Sequence, residues 1–242
     1  MAGTVAPNMV TDGLVLYLDA ANAKSYPGSG TTWFDISGNN NHVTLYNGVN
    51  FSSENGGYLI FDGTNDYAAS INNINLTSYD YIAVEVFYKC NSSIVAMIFE
   101  HTADWNSNPG GFGLATNSNG GASVNNCNHT NHNTEVARNY LVTNNSIWSN
   151  NLNLYSKISD STGRLTYVNG GLVDFSSLNG YPTSTITSPG GQFANAIFYI
   201  GSRAGSIIPF NGNISSLKMY GIKLPSQEIL QNYNTIKTRF GL

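Results

Sequence analysis

Charged side chains are scarce in this chain of 242 residues. They make up 10% of the sequence, against about 25% in an average soluble domain, and the formal net charge is -4. A weakly acidic chain has no general attraction for phosphate groups, so we expect no nucleic-acid partner and no binding to an anionic membrane. The longest apolar run, Ile94–Phe99, is far shorter than the ~18 residues of a membrane helix, so we expect no membrane insertion.

Cysteine is rare, and the N-terminus has no targeting signal. The two cysteines, Cys90 and Cys127, make no disulfide framework; one bridge or two reduced thiols both stay open. The first residues have neither a basic start nor a long apolar run, so we predict no secretory signal.

Neutral hydrogen-bonding side chains and aromatic rings are abundant instead. The chain has 35 Asn, 45 Ser and Thr, 15 Tyr, 11 Phe and 3 Trp. This many aromatic residues can bury a large apolar area, which argues against disorder. The length suits one domain. We assign residues 13–242 to it and residues 1–12 to an N-terminal arm, either frayed or ordered on a partner.

Short apolar or alternating segments between Gly and Asn turns predict an all-β fold. The predicted strands are Leu14–Asp19, Tyr58–Phe61, Tyr81–Lys89, Ile94–Phe99, Val136–Val142, Leu152–Ile158, Arg164–Val168, Ala196–Gly201 and Ile214–Tyr220. Asn169-Gly170 predicts a two-residue hairpin, because a type I′ turn needs positive φ at both positions. The Asn-rich segment Asn117–Asn133 is predicted to be a long exposed loop.

One amphipathic helix is predicted at the C-terminus, over Pro225–Phe240. Its apolar residues recur at helical spacing, Pro225 or Ser226 opens it, and Gly241 follows its end. We expect this helix to pack on the rim or on a face of the sandwich.

Six motifs follow one another along nearly the whole chain. They are Gly13–Asp19 (GLVLYLD), Trp33–Asn39 (WFDISGN), Phe61–Tyr67 (FDGTNDY), Tyr167–Gly170 (YVNG), Phe198–Ser202 (FYIGS) and Phe210–Asn234. In this order they resemble the laminin-G-like domains of the concanavalin-A-like lectin/glucanase superfamily. The resemblance implies an antiparallel jelly-roll β-sandwich with one C-terminal α-helix, and it leaves function open, because this fold carries many functions.

The C-terminal Thr238–Leu242 (TRFGL) resembles the end of virion proteins of tailed bacteriophages. This resemblance implies a non-enzymatic capsid decoration, tail or fibre component on the particle exterior. Its partners would be other virion subunits, in a homo-oligomer or a multi-copy assembly. The alternative is a lectin-like adhesion module that binds surface glycans of a host.

A glycoside hydrolase is the third alternative. Such enzymes need two carboxylates a few ångströms apart, and the related glucanases carry them two residues apart on one strand. None of the five glutamates has an acidic residue two positions on, so we expect no enzyme.

Calcium is the one cofactor that the residues suggest. Asp62, Asn65 and Asp66 offer three oxygen ligands of the kind calcium prefers. The alternative is that both aspartates stabilise a tight turn through Asx hydrogen bonds.

Two further segments carry candidate ligand-binding side chains. In the loop His101–Gly111, Trp105 could stack on a sugar while Asp104, Asn106 and Asn108 bind hydroxyl groups; alternatively Trp105 packs inward. Cys127, His129 and His132 suggest a transition metal, but no second pair completes a zinc site, so a solvated loop is expected. Trp33 is predicted to lie in the core. Trp148 could lie either in the core or in an exposed ligand-binding position.

Overall fold

The structure is a computed structural model, and it describes residues 8–91, 94–102, 110–118, 124–132, 135–143, 148–156, 165–172 and 192–242. Within these ranges the chain forms two antiparallel sheets packed face to face and one C-terminal α-helix. The predicted all-β jelly-roll sandwich is therefore confirmed.

The strands are short, as expected of a chain rich in Gly and Asn turns. In chain order they are β1 (Leu14–Asp19), β2 (Thr32–Trp33), β3 (Val43–Tyr46), β4 (Asn50–Ser52), β5 (Tyr58–Asp62), β6 (Tyr67–Ser70), β7 (Ile74–Asn75), β8 (Tyr81–Cys90), β9 (Ala96–His101), β10 (Gly111–Ser118), β11 (Val124–His132), β12 (Glu135–Thr143), β13 (Ser149–Ser156), β14 (Thr166–Val168), β15 (Gly171–Leu172), β16 (Asn195–Ala196), β17 (Phe198–Ile200) and β18 (Asn211–Tyr220). The helix α1 covers Ser226–Lys237, and 3₁₀ turns cover Glu54–Gly56 and Thr238–Phe240.

The two large sheets have distinct strand orders. Sheet A runs β15-β14-β13-β8-β18-β5-β4, with β1 also paired to β18, and sheet B runs β12-β11-β10-β9-β17-β6-β3-β2. Strands β7 and β16 form a separate pair. Each sheet combines consecutive strands with neighbours from distant parts of the sequence, such as β8 with β18 and β9 with β17, as in a jelly roll.

The core lies between the inner faces of the two sheets. Alternation on β8 directs Val84, Val86 and Tyr88 into this core, while Glu85 and Phe87 lie on the outer face of sheet A. Trp33 is fully buried in the same core, which confirms its predicted place.

The predicted hairpin at Asn169-Gly170 is confirmed. Both residues have positive φ, 52° and 78°, and they join β14 to β15. Asn and Gly adopt this left-handed conformation at low cost, which is why the dipeptide marks the turn.

The Asn-rich segment 117–133 does not form the long exposed loop that its composition predicts. The prediction is wrong because β11 occupies Val124–His132 and pairs along its length with both β10 and β12. Two neighbouring strands satisfy its backbone N–H and C=O groups, and this tertiary pairing outweighs the weak β-propensity of asparagine. The bounds of other strands also shift, and predicted Ala196–Gly201 divides into β16 and β17.

Helix α1 packs on the outer face of sheet A. Pro225 is its N-cap residue in an extended conformation, and its carbonyl oxygen accepts the N–H groups of Glu228 and Ile229 at 3.0 and 3.1 Å. Ile229 is buried in a second apolar cluster with Ala83, Leu152 and Tyr220 of sheet A. In the described ranges no helix is long and apolar enough to cross a membrane.

The described part of the N-terminal segment packs on the chain's own helix. The Val10 N–H donates to Asn232 Oδ1 at 3.0 Å, and the Tyr220 hydroxyl donates to the Val10 carbonyl at 3.1 Å. Gln231 Nε2 also donates to the Asn8 carbonyl at 2.6 Å. Residues 8–10 therefore pack with the domain that we assigned from Gly13, whereas residues 1–7 lie outside the described ranges.

A buried polar network fastens α1 to the sheet. Lys218 Nζ lies 2.8 Å from Glu85 Oε2, and both side chains are almost completely inaccessible to solvent. Asn150 Nδ2 donates to Glu85 Oε1 at 2.6 Å, and Asn232 Nδ2 of the helix donates to Glu85 Oε2 at 3.1 Å. Three donors thus surround one carboxylate, which compensates for its loss of water.

The end of the helix is fixed by aromatic packing and a second ion pair. Trp148 is half-buried, and its ring stacks on Phe87 with centroids 5.7 Å apart and contacts Phe240 at 4.3 Å. Arg239 Nη1 binds Asp19 Oδ1 at 3.0 Å. Trp148, which the sequence left undecided, therefore packs on the outer face of sheet A.

We predict that Lys218→Met lowers the free energy of unfolding by about 3–5 kcal/mol, because it leaves the Glu85 carboxylate buried without its cation. Lys24→Met, which removes the same charge at an exposed site, is the matched control and should change it by less than about 0.5 kcal/mol. Urea unfolding measures both. Equal losses in the two variants would contradict the role of the ion pair.

Candidate functional site

The outer face of sheet B carries three tyrosines, Tyr46, Tyr67 and Tyr199, which we call the tyrosine face. Period-two alternation places them there: Val43 and Leu45 of β3 enter the core, and so do Phe198 and Ile200 of β17. The tyrosines next to them in sequence consequently point away from the core.

Strand register brings the three rings together from distant parts of the sequence. Tyr46 of β3 is directly opposite Tyr67 of β6, and Tyr199 of β17 is opposite Ala69, two residues further along β6. The rings of Tyr46 and Tyr67 stack with centroids 4.5 Å apart and planes within 9° of parallel. Directly opposed aromatic pairs of this kind stabilise neighbouring strands.

Exposure differs among the three tyrosines. Tyr46 is 40% exposed, whereas Tyr67 and Tyr199 are half-buried. A Cβ atom placed on Gly205 would lie 2.9 Å from the Tyr67 ring, so the chain at Gly205 packs closely against this ring. Of these three rings, Tyr46 is thus the one that presents most surface to solvent.

The phenol groups of Tyr67 and Tyr199 stay neutral at physiological pH. Burial, and then the neighbouring Tyr46 and Tyr199, raise the pKa of Tyr67 above its ordinary value. Burial, and then Glu100, raise the pKa of Tyr199. A neutral phenol both donates and accepts a hydrogen bond, which suits it to hydroxyl groups.

An ion pair lies beside Tyr199 on the same sheet. Glu100 of β9 is opposite Tyr199 in register and fully buried. Its Oε1 lies 3.6 Å from Nε of Arg203, whose side chain is 17% exposed. The pair adds no net charge to this face.

The candidate calcium ligands lie in the β5–β6 turn beside Tyr67. Asp62 Oδ1 accepts the N–H groups of Thr64 and Asn65 at 2.7 and 3.3 Å, and these backbone bonds hold the pKa of Asp62 below its usual range. Asp66 is buried, and its Oδ2 accepts the Asp62 N–H at 3.1 Å. This geometry favours the Asx turn, the alternative that the sequence left open.

Metal ligation has no further support in the described geometry. Among the residues that the structure describes, no three His, Cys, Asp or Glu side chains come close enough to hold a metal ion. Cys127, His129 and His132 lie on β11, and their side chains are outside the described set. The zinc hypothesis at these three residues stays untested.

The ligand loop predicted from sequence is described only at its two ends. Asp104, Trp105, Asn106 and Asn108 lie outside the described residues, so their assignment stays a prediction. Gly111 begins β10, and His101 ends β9 fully buried, with Nε2 3.1 Å from the Ile74 carbonyl. Thr102 follows with φ of 103°, a conformation that β-branched residues rarely adopt.

The sequence analysis did not identify the tyrosine face. Tyr67 was part of a recognised motif, and alternation alone could have placed Tyr46 and Tyr199 on an outer face. Their convergence depends on the order β17-β6-β3, which a single sequence does not reveal.

Comparisons with known proteins place the fold among β-sandwich domains. No protein-family model matches the sequence, and no curated protein matches it. Among solved structures, domain 4 of an extracellular arabinanase of Geobacillus stearothermophilus, in complex with arabinotriose, has a TM-score of 0.63 at 14% identity, over 91% of this chain and 98% of that domain.

Two larger proteins contain a similar sandwich. The botulinum neurotoxin DC binding domain, solved with rat synaptotagmin II, has a TM-score of 0.68 at 12% identity over 94% of this chain and 52% of that one. A sialidase of Trypanosoma rangeli in complex with sialic acid has a TM-score of 0.62 at 14% identity over 98% and 35%. The chain thus spans about half of the first and a third of the second, and identities this low show a shared fold.

We predict that a chelator leaves the melting temperature unchanged, because the Asp62 and Asp66 carboxylates already accept backbone N–H groups. Asp62→Ala should lower the melting temperature, whereas Asp62→Asn, which keeps the accepting oxygen, should preserve it. Thermal melting with EDTA and with added calcium tests this. A rise in melting temperature on adding calcium would establish the calcium site instead.

We predict that acid destabilises the protein through His101. Burial lowers its pKa from 6.5 to about 4, so the unfolded chain takes up a proton at a pH where the folded protein does not. The contribution of neutral His101 to the free energy of unfolding is fully present above pH 6.5. It falls by about 3 kcal/mol as the pH drops to about 4. His101→Phe should remove this part of the pH dependence, measured by urea unfolding across that range; an identical dependence in both proteins would refute it.

Proposed function

We propose that this protein is a non-catalytic glycan-binding module whose binding surface is the tyrosine face. The observation that carries the proposal is the stacked pair Tyr46 and Tyr67 with Tyr199 beside it, on the outer face of sheet B. Aromatic rings offer flat apolar surfaces with a polar hydroxyl. Sugar rings present C–H groups on their faces and hydroxyl groups at their edges, which matches both properties.

The coverage of the sandwich supports this choice of surface. Helix α1, the 3₁₀ turn after it and residues 8–10 cover the outer face of sheet A. The tyrosine face has one ring exposed and two half-exposed. A cluster of aromatic side chains that a stable fold leaves accessible is a frequent mark of a binding surface.

The low charge of the chain supports a neutral hydrogen-bonding ligand. Exposed amides border the tyrosine face, among them Asn47 and Asn65. The solved neighbours include a domain in complex with arabinotriose and a sialidase in complex with sialic acid. These ligands belong to those proteins, and they make glycans a reasonable first class of probe.

The absence of catalysis is part of the proposal. Glycoside hydrolysis needs two carboxylates flanking an open cleft. Glu85 is enclosed by Lys218, Asn150 and Asn232, and Glu100 is fully buried beside Arg203. Neither buried glutamate is placed to reach a substrate, and we expect no release of reducing sugar from any glycan that binds.

The virion role stays a prediction that rests on sequence resemblance. The similar structures described above are parts of an arabinanase, a neurotoxin and a sialidase. Glycan binding is compatible with the adhesion alternative, in which the module attaches to a host surface. The arrangement of residues in sheet B supports glycan binding, and it does not depend on whether the protein is part of a virion.

We predict that Tyr46→Ala weakens glycan binding about 5- to 30-fold, because an exposed aromatic contact contributes about 1–2 kcal/mol. A glycan array with the wild-type chain identifies the glycans, and calorimetry then compares the variants. Phe34→Ala is the matched control, since Phe34 is 39% exposed but lies by His42 at the opposite end of β3. Unchanged affinity in Tyr46→Ala would show that the binding site lies elsewhere on the protein. An array to which no glycan binds would refute the proposed function.

A further inference from the structure

The side of Tyr46 that faces the edge of sheet B is open. On one side the Tyr46 ring stacks on Tyr67, which in turn lies close to Gly205. The strand order β17-β6-β3-β2 leaves only the two-residue strand β2 beyond Tyr46. The exposed surface of Tyr46 therefore faces this edge.

Register places a glycine next to that open side. Thr32 is opposite Thr44, and the pairing continues beyond β2, where the Leu45 N–H donates to the Thr31 carbonyl at 2.7 Å. The next residue of the segment, Gly30, consequently comes beside Tyr46. A Cβ atom built on Gly30 would have nothing within 4 Å, so there is free space between this backbone and solvent.

The backbone beside this space is held in place. The Tyr26 hydroxyl, on a buried side chain, donates to the Gly30 carbonyl at 2.9 Å. Gly30 has φ of 95°, which favours glycine over residues with a side chain. Exposed Ser29 precedes it and supplies a hydroxyl group. The outward face of Tyr46 and the backbone of Gly30 thus lie side by side with open space at Gly30, and we call this place the slot.

We propose that this slot, formed by the outward face of Tyr46 and the backbone of Gly30, takes one neutral sugar ring of the bound glycan. The inference rests on the proposed function and adds to it the contact subsite and the class of sugar. The ring stacks on Tyr46, and its hydroxyl groups bond Ser29 and the turn that follows β3.

Charge near the slot favours neutral over acidic sugars. The turn after Tyr46 lies close to a carboxylate, since a Cβ atom on Gly48 would be 4.0 Å from Asp66 Oδ1. Asp62 lies in the same β5–β6 turn, and the nearby Glu100–Arg203 pair carries no net charge. A sugar with its own carboxylate is repelled by these two aspartates, and salt screens that repulsion.

A pair of glycine variants tests the slot. Gly30→Asn puts a side chain into it, and we expect an affinity loss of about fivefold or more, comparable to other contact losses at binding sites. Gly38→Asn is the matched control, because Gly38 has φ of 97° and equally open surroundings but lies outside the slot; it should bind as wild type does.

An array that carries neutral oligosaccharides beside their sialylated or uronate counterparts tests the sugar class. We expect the neutral member of each pair to bind about fivefold or more tightly, with the difference growing as salt is lowered. Wild-type affinity in Gly30→Asn, or acidic members that bind as tightly as neutral ones, would overturn this inference while glycan binding itself stands. Failure of every glycan to bind would overturn both.

Discussion

The ion pair between Glu85 and Lys218 is the constraint on which the arrangement of the two sheet faces depends. It lies on the outer face of sheet A, where an exposed carboxylate and ammonium would need no partner. Because α1 covers them, each requires the other, and Glu85 also requires Asn150 and Asn232. Asn232 belongs to the helix, so the network ties the helix position to the sheet and, through Val10, to the N-terminal segment.

The scarcity of charge in the sequence has a structural counterpart. Three of the ion pairs in the described part of the chain have at least one partner that is mostly buried: Glu85 with Lys218, Glu100 with Arg203, and Asp19 with Arg239. Ion pairs of this kind stabilise particular contacts and add little charge to the protein surface. On the described part of sheet B, exposed Tyr46 lies next to the exposed amide of Asn47, which suits neutral ligands with many hydroxyl groups.

The stability of the fold and its proposed function are thus assigned to opposite sheets. Sheet A buries its outer face under the termini, whereas sheet B presents the stacked Tyr46 and Tyr67. In the tyrosine face, Tyr67 contacts both Tyr46 and the chain at Gly205, so the exposed Tyr46 ring stacks on a packed neighbour. A rigid aromatic surface loses little conformational entropy when a ligand binds.

Local patterns predicted much of this fold and little of the site. The Asn169-Gly170 turn, the strand Leu14–Asp19 and the C-terminal helix follow from turn chemistry and periodicity, which act within a few residues. Segment 117–133 was assigned wrongly because its pairing with β10 and β12 is not local. Tyr46, Tyr67 and Tyr199 meet only through strand register.

The most direct measurement is the set of ring NMR signals of these tyrosines, assigned through single Tyr→Phe variants, during titration with a glycan found on the array. We expect the Tyr46 signals to shift in proportion to bound glycan while those of Tyr220, buried on the outer face of sheet A, do not; shifts confined to tyrosines outside the tyrosine face would contradict the proposal.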